Sequence, residues 1–290
     1  MTEYRIANRV LSIAEETPLL QVFLLDPNQP LQRTVEIPSG PITAQSTTRA
    51  TGFVAGRDRE VTCLSGPDSI LVVVEDLAEF SVARDGSSIE LAKGTGSDGE
   101  IDQAILGPPL LLALALQSVA VLHAGSVATK NGVVAFLGPS GAGKSTLAAF
   151  LDQLIGEWSR CTDDLLPLDR GTDGIDALPH FPQLKLSTNE QWCPPRPDRI
   201  PLRALFLLSG ESSPGTGITS TALSTTDATV AILEHSAAWT FFPPELTQQH
   251  LAFCARIAQT VPVHRLSYPR RLDALQEVAA AIFDDIARDG

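Results

Sequence analysis

One stretch constrains this chain more than any other. Residues Gly138-Pro139-Ser140-Gly141-Ala142-Gly143-Lys144-Ser145 match the pattern G-x-x-x-x-G-K-[ST] at every fixed position. Val133, Val134, Ala135, Phe136 and Leu137 precede it as a short apolar run, the pattern of a buried parallel strand. Thr146, Leu147, Ala148, Ala149, Phe150, Leu151 and Leu154 follow with apolar residues at helical spacing. Strand, glycine loop and helix in that order make an anion cradle. Glycines let backbone N–H groups close around a phosphate, and the helix N-terminus adds partial positive charge. The nucleotide-binding candidates are therefore Gly138, Pro139, Ser140, Gly141, Ala142, Gly143, Lys144, Ser145 and Thr146. Lys144 has the reach for the β- and γ-phosphates, and the Ser145 hydroxyl can ligate Mg²⁺.

The rest of the composition narrows the classes. The 290 residues suffice for one large or two modest domains, and 43% hydrophobic content supports a real core. A formal net charge of −13 argues against a general binder of nucleic acid or of anionic membranes, which need basic surfaces. Cys63, Cys161, Cys193 and Cys254 lie far apart, without metal-ligand or C-x-x-C spacing, and read as reduced structural thiols. The opening MTEYRIANRV lacks the form of a signal peptide. The most apolar stretch, residues 105–122, is broken by Gly107, Pro108, Pro109, Gln117 and Ser118, and reads as a buried helix. A cytoplasmic protein is expected.

Residues 1–100 read as a β-rich N-terminal region. Short β-prone runs fall at 20–25, 33–37, 52–55, 70–74 and 80–83, separated by turn signals such as Asp85-Gly86. Residues 91–100, rich in Gly and polar side chains, read as a linker or exposed loop. Residues 101–290 then form the nucleotide-binding domain. Pro108 and Pro109 suit the start of a helix to about Val119. A strand at 121–128 and the turn Thr129-Lys130-Asn131-Gly132 predict a hairpin with the strand that feeds the glycine loop. His123 then lies at the end of its strand remote from the hairpin. Residues 157–168 read as a strand entering and leaving Asp163-Asp164. Asp-Asp in a turn is common, and a lone strand histidine is more often structural; a glycine loop upstream gives both a second meaning. Residues 171–203 look irregular, with a Pro-rich loop at 193–199. Further on come a buried strand at 202–208, a loop at 213–217, helices at 228–233 and 245–261, and a strand at 263–268. The chain closes with a helix at 271–288 whose buried stripe is Leu272, Leu275, Val278, Ala279, Ile282, Phe283 and Ile286. Leu208-Ser209-Gly210-Glu211 echoes the signature loop of ABC ATPases but follows a strand and precedes no Asp-Glu strand.

The order Leu122-His123-Ala124, glycine loop, Asp163-Asp164 and the Pro-containing segment at 181–186 ending in Lys185-Leu186 resembles HPr kinase/phosphorylase. It is most similar to the HPr-kinase-like proteins associated with lasso-peptide biosynthesis, as is the tail at 261–268. The likeness covers roughly residues 105–290. It implies an α/β phosphate-loop domain of the phosphoenolpyruvate carboxykinase and HPr kinase type. It also implies ATP-dependent transfer of phosphate to a hydroxyl of a peptide, a protein or a small metabolite. A homo-oligomer is compatible with it. The Glu- and Gly-rich second signature of HPr kinases has no counterpart after Asp164, which argues against HPr as substrate and against phosphorylase activity.

On that resemblance the catalytic set is Asp163, Asp164, His123 and Lys144, with ATP and Mg²⁺ as cofactors. Lys144 is expected to be a surface-facing cation. Ser145 and one of the two aspartates, assigned to Asp164, would hold Mg²⁺. The other, Asp163, would accept the hydroxyl proton, and His123 would orient the pair. Lys185 and Arg265 are weaker candidates for steadying the γ-phosphate. The rival readings are a nucleotide-binding regulatory or scaffold subunit with little turnover, and a plain nucleoside triphosphatase.

Overall fold

The computed structural model describes residues 1–14, 18–25, 45–154, 159–183, 197–209 and 217–289. The strand expected at 33–37, Lys185, Cys193, residues 193–196 of the Pro-rich loop and residues 213–216 lie outside the described residues. Two compact units emerge, Met1–Ala120 with Ala238–His250, and Val121–Ala237 with Leu251–Gly290.

In the first unit, strands β1 (Thr2–Ile6), β2 (Arg9–Ile13), β3 (Ser46–Val54), β4 (Arg57–Ser65), β5 (Ser69–Val74), β6 (Ala78–Ala83) and β7 (Ser88–Gly94) form one sheet in the order β1-β2-β7-β6-β5-β4-β3. Neighbours are antiparallel except β2 and β7, which run parallel. Alternation drives it: Ile70, Val72 and Val74 of β5 and Phe80 and Val82 of β6 are buried, while the residues between them are partly exposed. Helices α1 (Asp98–Ile105) and α2 (Pro108–Leu116) pack on β6. Asp98–Leu116 is long and apolar enough to cross a membrane by composition, yet it is two helices, and 67% of the window is buried.

Three expectations are corrected here. Residues 20–25 are not a strand: Pro18–Phe23 is a 3₁₀ helix, whose three-residue repeat stacks buried Leu20 over buried Phe23. Residues 91–100 are not a linker: β7 runs to Gly94, and Ser97 and Glu100 form a capping box that starts α1. The helix expected to Val119 stops at Leu116, because Ser118 takes a left-handed conformation, φ 64°.

The second unit is built on an eight-stranded sheet. Its strands are β8 (Ala120–Thr129), β9 (Gly132–Leu137), β10 (Ser159–Thr162), β11 (Leu165–Arg170), β12 (Ile175–Ala177), β13 (Ile200–Leu208), β14 (Thr219–Ala222) and β15 (Val263–Ser267). Strands β9, β13 and β15 run parallel, and β8 pairs antiparallel with β9. Every residue of β9 is buried, as a strand covered on both faces requires. The β8–β9 turn is Lys130-Asn131, and Gly132, at φ 133°, pairs with Thr129 as the first residue of β9. The segment expected to be irregular, 171–203, contains β12 and the start of β13, and β14 was not foreseen.

Helix α3 (Lys144–Leu154) and the last helix share one core with the sheet. Leu147, Ala148 and Leu151 of α3 meet Phe136, Phe206 and Leu266 of the strands and Leu275, Val278, Ala279 and Ile282. Helix α4 (Thr225–Glu234) is capped by Ser224, whose Oγ accepts from Asp227 N (3.1 Å). Helix α5 (Pro244–Thr260) is divided between the two units at His250, and α6 (Leu275–Asp289) closes the chain. The expected stripe of α6 holds except at Leu272, which is 75% exposed on a separate 3₁₀ turn. Cys63, Cys161 and Cys254 are buried thiols outside any disulfide.

In the first unit His250 is buried beside the Phe242 ring, at 5.6 Å, and its Nε2 has no hydrogen-bond partner. Burial pushes its pKa down from 6.5 to about 4. The folded chain therefore resists protonation where the unfolded chain accepts it, and stability falls as pH drops from about 6.5 to about 4. This one group contributes a loss of about 3 kcal/mol across that window. His250→Leu should remove that part of the slope. Urea midpoints of parent and variant at pH 7.5 and 4.5 check this: the variant should gain on the parent at the lower pH, and equal slopes would refute it.

Candidate active site

The carboxyl ends of β9, β13 and β15 meet at the glycine loop, where ligands of open parallel sheets bind. Gly138 leaves β9 at φ 150°, and a Cβ there would stand 3.1 Å from Leu208 O, at the end of β13. Gly141 and Gly143 take φ 77° and 91°. A Cβ on Gly143 would stand 3.3 Å from the Tyr268 hydroxyl, just past β15. The three glycines are thus needed for backbone shape, two of them also for close packing. Pro139 has no N–H, and Ala142 donates its own to Pro139 O (3.1 Å). The expected amide cradle from Pro139 to Lys144 narrows to Ser140, Gly141, Gly143 and Lys144.

The expectation that Lys144 faces the surface is corrected. It is only 7% exposed, and its Nζ donates to Gly138 O (2.6 Å) and Pro139 O (3.1 Å). The ammonium is therefore folded over the loop it belongs to. Arg270 Nη1 donates to Gly141 O (3.2 Å) from the segment after β15.

Strand β8 passes beneath the start of α3. Gly125 lies so close that a Cβ would stand 3.3 Å from both Lys144 C and O. Next to it, Ala124 N donates to Asp164 O (2.9 Å), and His123 N donates to His235 O (2.7 Å). Buried Ser126 and Thr162 join their hydroxyls at 2.8 Å, and Thr162 donates to Ala124 O (3.2 Å). These bonds bring the acidic pair, between β10 and β11, beside the loop.

A cavity of about 210 Å³ results, lined by His123, residues 140–146, Asp163 and Asp164. His123 Nε2 lies 2.8 Å from Asp164 Oδ1. Asp163 is 8% exposed, and its Oδ1 is buried without a hydrogen-bond partner; Arg160 Nη1 stands 3.9 Å away, too far to donate. A buried carboxylate oxygen without a hydrogen-bond partner is costly, and here it belongs to a residue that lines the cavity together with Lys144 and Ser145. The residues present fit a nucleotide phosphate with a divalent cation: glycine-shaped backbone, a cation, a hydroxyl and two carboxylates. Among the described residues no cluster of three His, Cys, Asp or Glu side chains could hold a metal.

Gly138 and Pro139 do not line the cavity; Gly138 starts the loop and Pro139 is exposed. Arg265 is exposed on β15 and is not among the lining residues. Sequence reasoning missed three neighbours. Half-buried His235 follows α4; burial and then the charge of Lys144 hold its imidazole below the usual value. Tyr268 packs over Gly143, and burial raises its phenol. Buried Gln183 accepts from the amides of both aspartates. None carries a spacing signal, since each reaches the site from a distant segment.

Neither a protein-family model nor a curated protein matches this chain. Among solved structures, the HPr(Ser) kinase/phosphatase from Coxiella burnetii is similar to it, with 11% identity and a TM-score of 0.34, over 58% of this chain and 91% of that one. The glycine loop and the acidic pair, rather than this likeness, define the site.

Gly143→Ala should lower the unfolding free energy by about 1–2 kcal/mol, the cost of a left-handed alanine, and displace Tyr268. Denaturant titration checks the first, and a changed tyrosine absorbance at alkaline pH the second. A variant as stable as the parent would contradict the loop geometry.

Proposed function

We propose that the chain is an ATP-dependent kinase that transfers the γ-phosphate to a hydroxyl, on a phosphate-loop domain of the HPr kinase kind. One observation carries this reading: Asp163, whose Oδ1 is buried without a hydrogen-bond partner, lines the same cavity as Lys144 and Ser145. A kinase needs a base beside the phosphate, and a carboxylate oxygen with no hydrogen-bond partner is open to that role.

The roles follow from the contacts. The amides of Ser140, Gly141, Gly143 and Lys144 and the dipole of α3 hold the phosphates. Lys144 leaves the loop carbonyls for the bridge between β- and γ-phosphates, where charge develops. Mg²⁺, held by the Ser145 hydroxyl and an Asp164 oxygen together with the nucleotide, would neutralise phosphate charge. Asp164 is paired through Oδ1 with His123, which fixes its orientation for that task. Asp163 Oδ1 takes the proton of the acceptor hydroxyl as its oxygen bonds to the γ-phosphorus. The bond from that phosphorus to the bridging oxygen breaks, and ADP leaves.

The acceptor class is a serine of a peptide or protein, or a small alcohol. Asp163→Asn should spare nucleotide binding and cut transfer roughly 10²–10⁴-fold, the usual worth of a general base. Asp164→Asn should raise the Mg²⁺ needed for half-maximal transfer. The measurement is phosphate transferred from ATP to a mixture of hydroxyl acceptors across a Mg²⁺ titration. If both variants match the parent, the pair is not catalytic; if the parent binds ATP and transfers nothing, the regulatory-subunit reading replaces this one.

Lys144→Met should abolish ADP-dependent thermal stabilisation and also lower the melting temperature of the free protein, because two loop carbonyls lose their donor. Retained stabilisation by ADP would place the nucleotide elsewhere.

A further inference from the structure

Gln183 is a buried polar side chain, at 3% exposure. Its amide grips the acidic turn from three sides. Oε1 accepts from Asp163 N (3.2 Å) and Asp164 N (3.3 Å), and Nε2 donates to Leu165 O (2.8 Å). One side chain thus bonds to backbone groups of three consecutive residues where β10 gives way to β11.

The platform that presents Gln183 is rigid. Leu178 N donates to Pro167 O (2.9 Å), tying the segment to β11, and Phe181 N donates to Pro179 O (2.9 Å). Leu178 and Phe181 are buried, and prolines at 179 and 182 fix two φ angles on the way to the glutamine. His180 Nε2 lies 3.5 Å from Asp198 Oδ1. An amide held this way has lost its freedom before any ligand arrives.

We propose that Gln183 is the positioning residue of the acidic pair. It sets the backbone direction at Asp163 and Asp164, so that one carboxylate is offered to metal and the other to the acceptor hydroxyl. Adjacent residues of an extended chain send their side chains to opposite faces. Two neighbouring aspartates can serve one cavity only if the backbone between them turns, and a single acceptor shared by both amides imposes such a turn. Gln183 touches neither phosphate nor acceptor; it acts through the two amides. This inference rests on the nucleotide-site reading of the cavity.

The test uses the full chain, the variants Gln183→Met and Gln183→Glu, and Mg²⁺ with ADP as the probe. Met keeps the volume and removes all three bonds; Glu keeps the shared acceptor and sets a carboxylate oxygen against the Leu165 carbonyl in place of the donor. In the ligand-free protein, amide hydrogen exchange at Asp163 and Asp164 should speed up at least tenfold in the Met variant and stay near the parental rate in the Glu variant. The Mg²⁺ concentration that half-saturates ADP binding should rise roughly 10–100-fold in the Met variant, the usual effect of losing an outer-shell partner. ADP binding without metal should stay within about twofold, because the glycine loop is untouched. Recovery by Glu separates positioning from general loss of packing. Unchanged exchange and unchanged metal dependence in the Met variant overturn the role of Gln183 alone. If the Met variant does not fold, the Glu variant decides, and failure there to match the parent on both measures counts against the shared acceptor. A parent that binds no ADP at all overturns the site reading, and this inference with it.

Discussion

The geometry of the candidate site depends on one contact without a side chain. At Gly125 the backbone of β8 lies against the first residue of α3, where a Cβ would make tight 3.3 Å contacts with Lys144 C and O. One residue earlier, the same strand bonds to Asp164, and two residues earlier it presents His123. Strand β8 therefore acts as a ruler between loop and carboxylates. A side chain at 125 would press on the start of α3, beside the cleft. Close packing transmits such pressure because the interior has few voids to absorb it.

Given that contact, the charges fall into two classes. Lys144 and the Asp164–His123 pair are held by partners within the site. Asp163 keeps an oxygen unpartnered. Held groups give the cleft its shape and field, and the unpartnered one gives it a reactive acceptor. Preorganisation of this kind matters because groups fixed beforehand need no rearrangement when charge develops.

The sequence carried the loop clearly, because left-handed backbone at Gly141 and Gly143 leaves glycine as a visible mark, and because β9 is buried on both faces and so reads as a continuous apolar run. The acidic pair and His123 were legible through their order relative to that loop. Gln183, His235 and Tyr268 were not, for a physical reason: each is a single side chain brought in by tertiary folding, and a lone glutamine in a Pro-rich stretch has no periodicity to announce it. Locally, the errors came from competing signals. The β-prone run at 20–25 yielded to a turn that buries Leu20 and Phe23 together. The Gly-rich 91–100 hid a capping box that outweighed its loop-like composition. Lys144 was misjudged because composition alone places lysine outside, whereas two loop carbonyls draw its ammonium in.

The orphaned oxygen of Asp163 also bears on how this fold can change over time. A buried carboxylate without a partner opposes folding, and most proteins have only a narrow margin of stability. Drift at position 163 toward an amide or an apolar residue would relax the pocket and strengthen the fold while removing its reactive group. Selection for stability alone thus runs against this cleft. On the kinase reading, a descendant that replaced it would keep a nucleotide-shaped pocket and become a sturdier, silent binder.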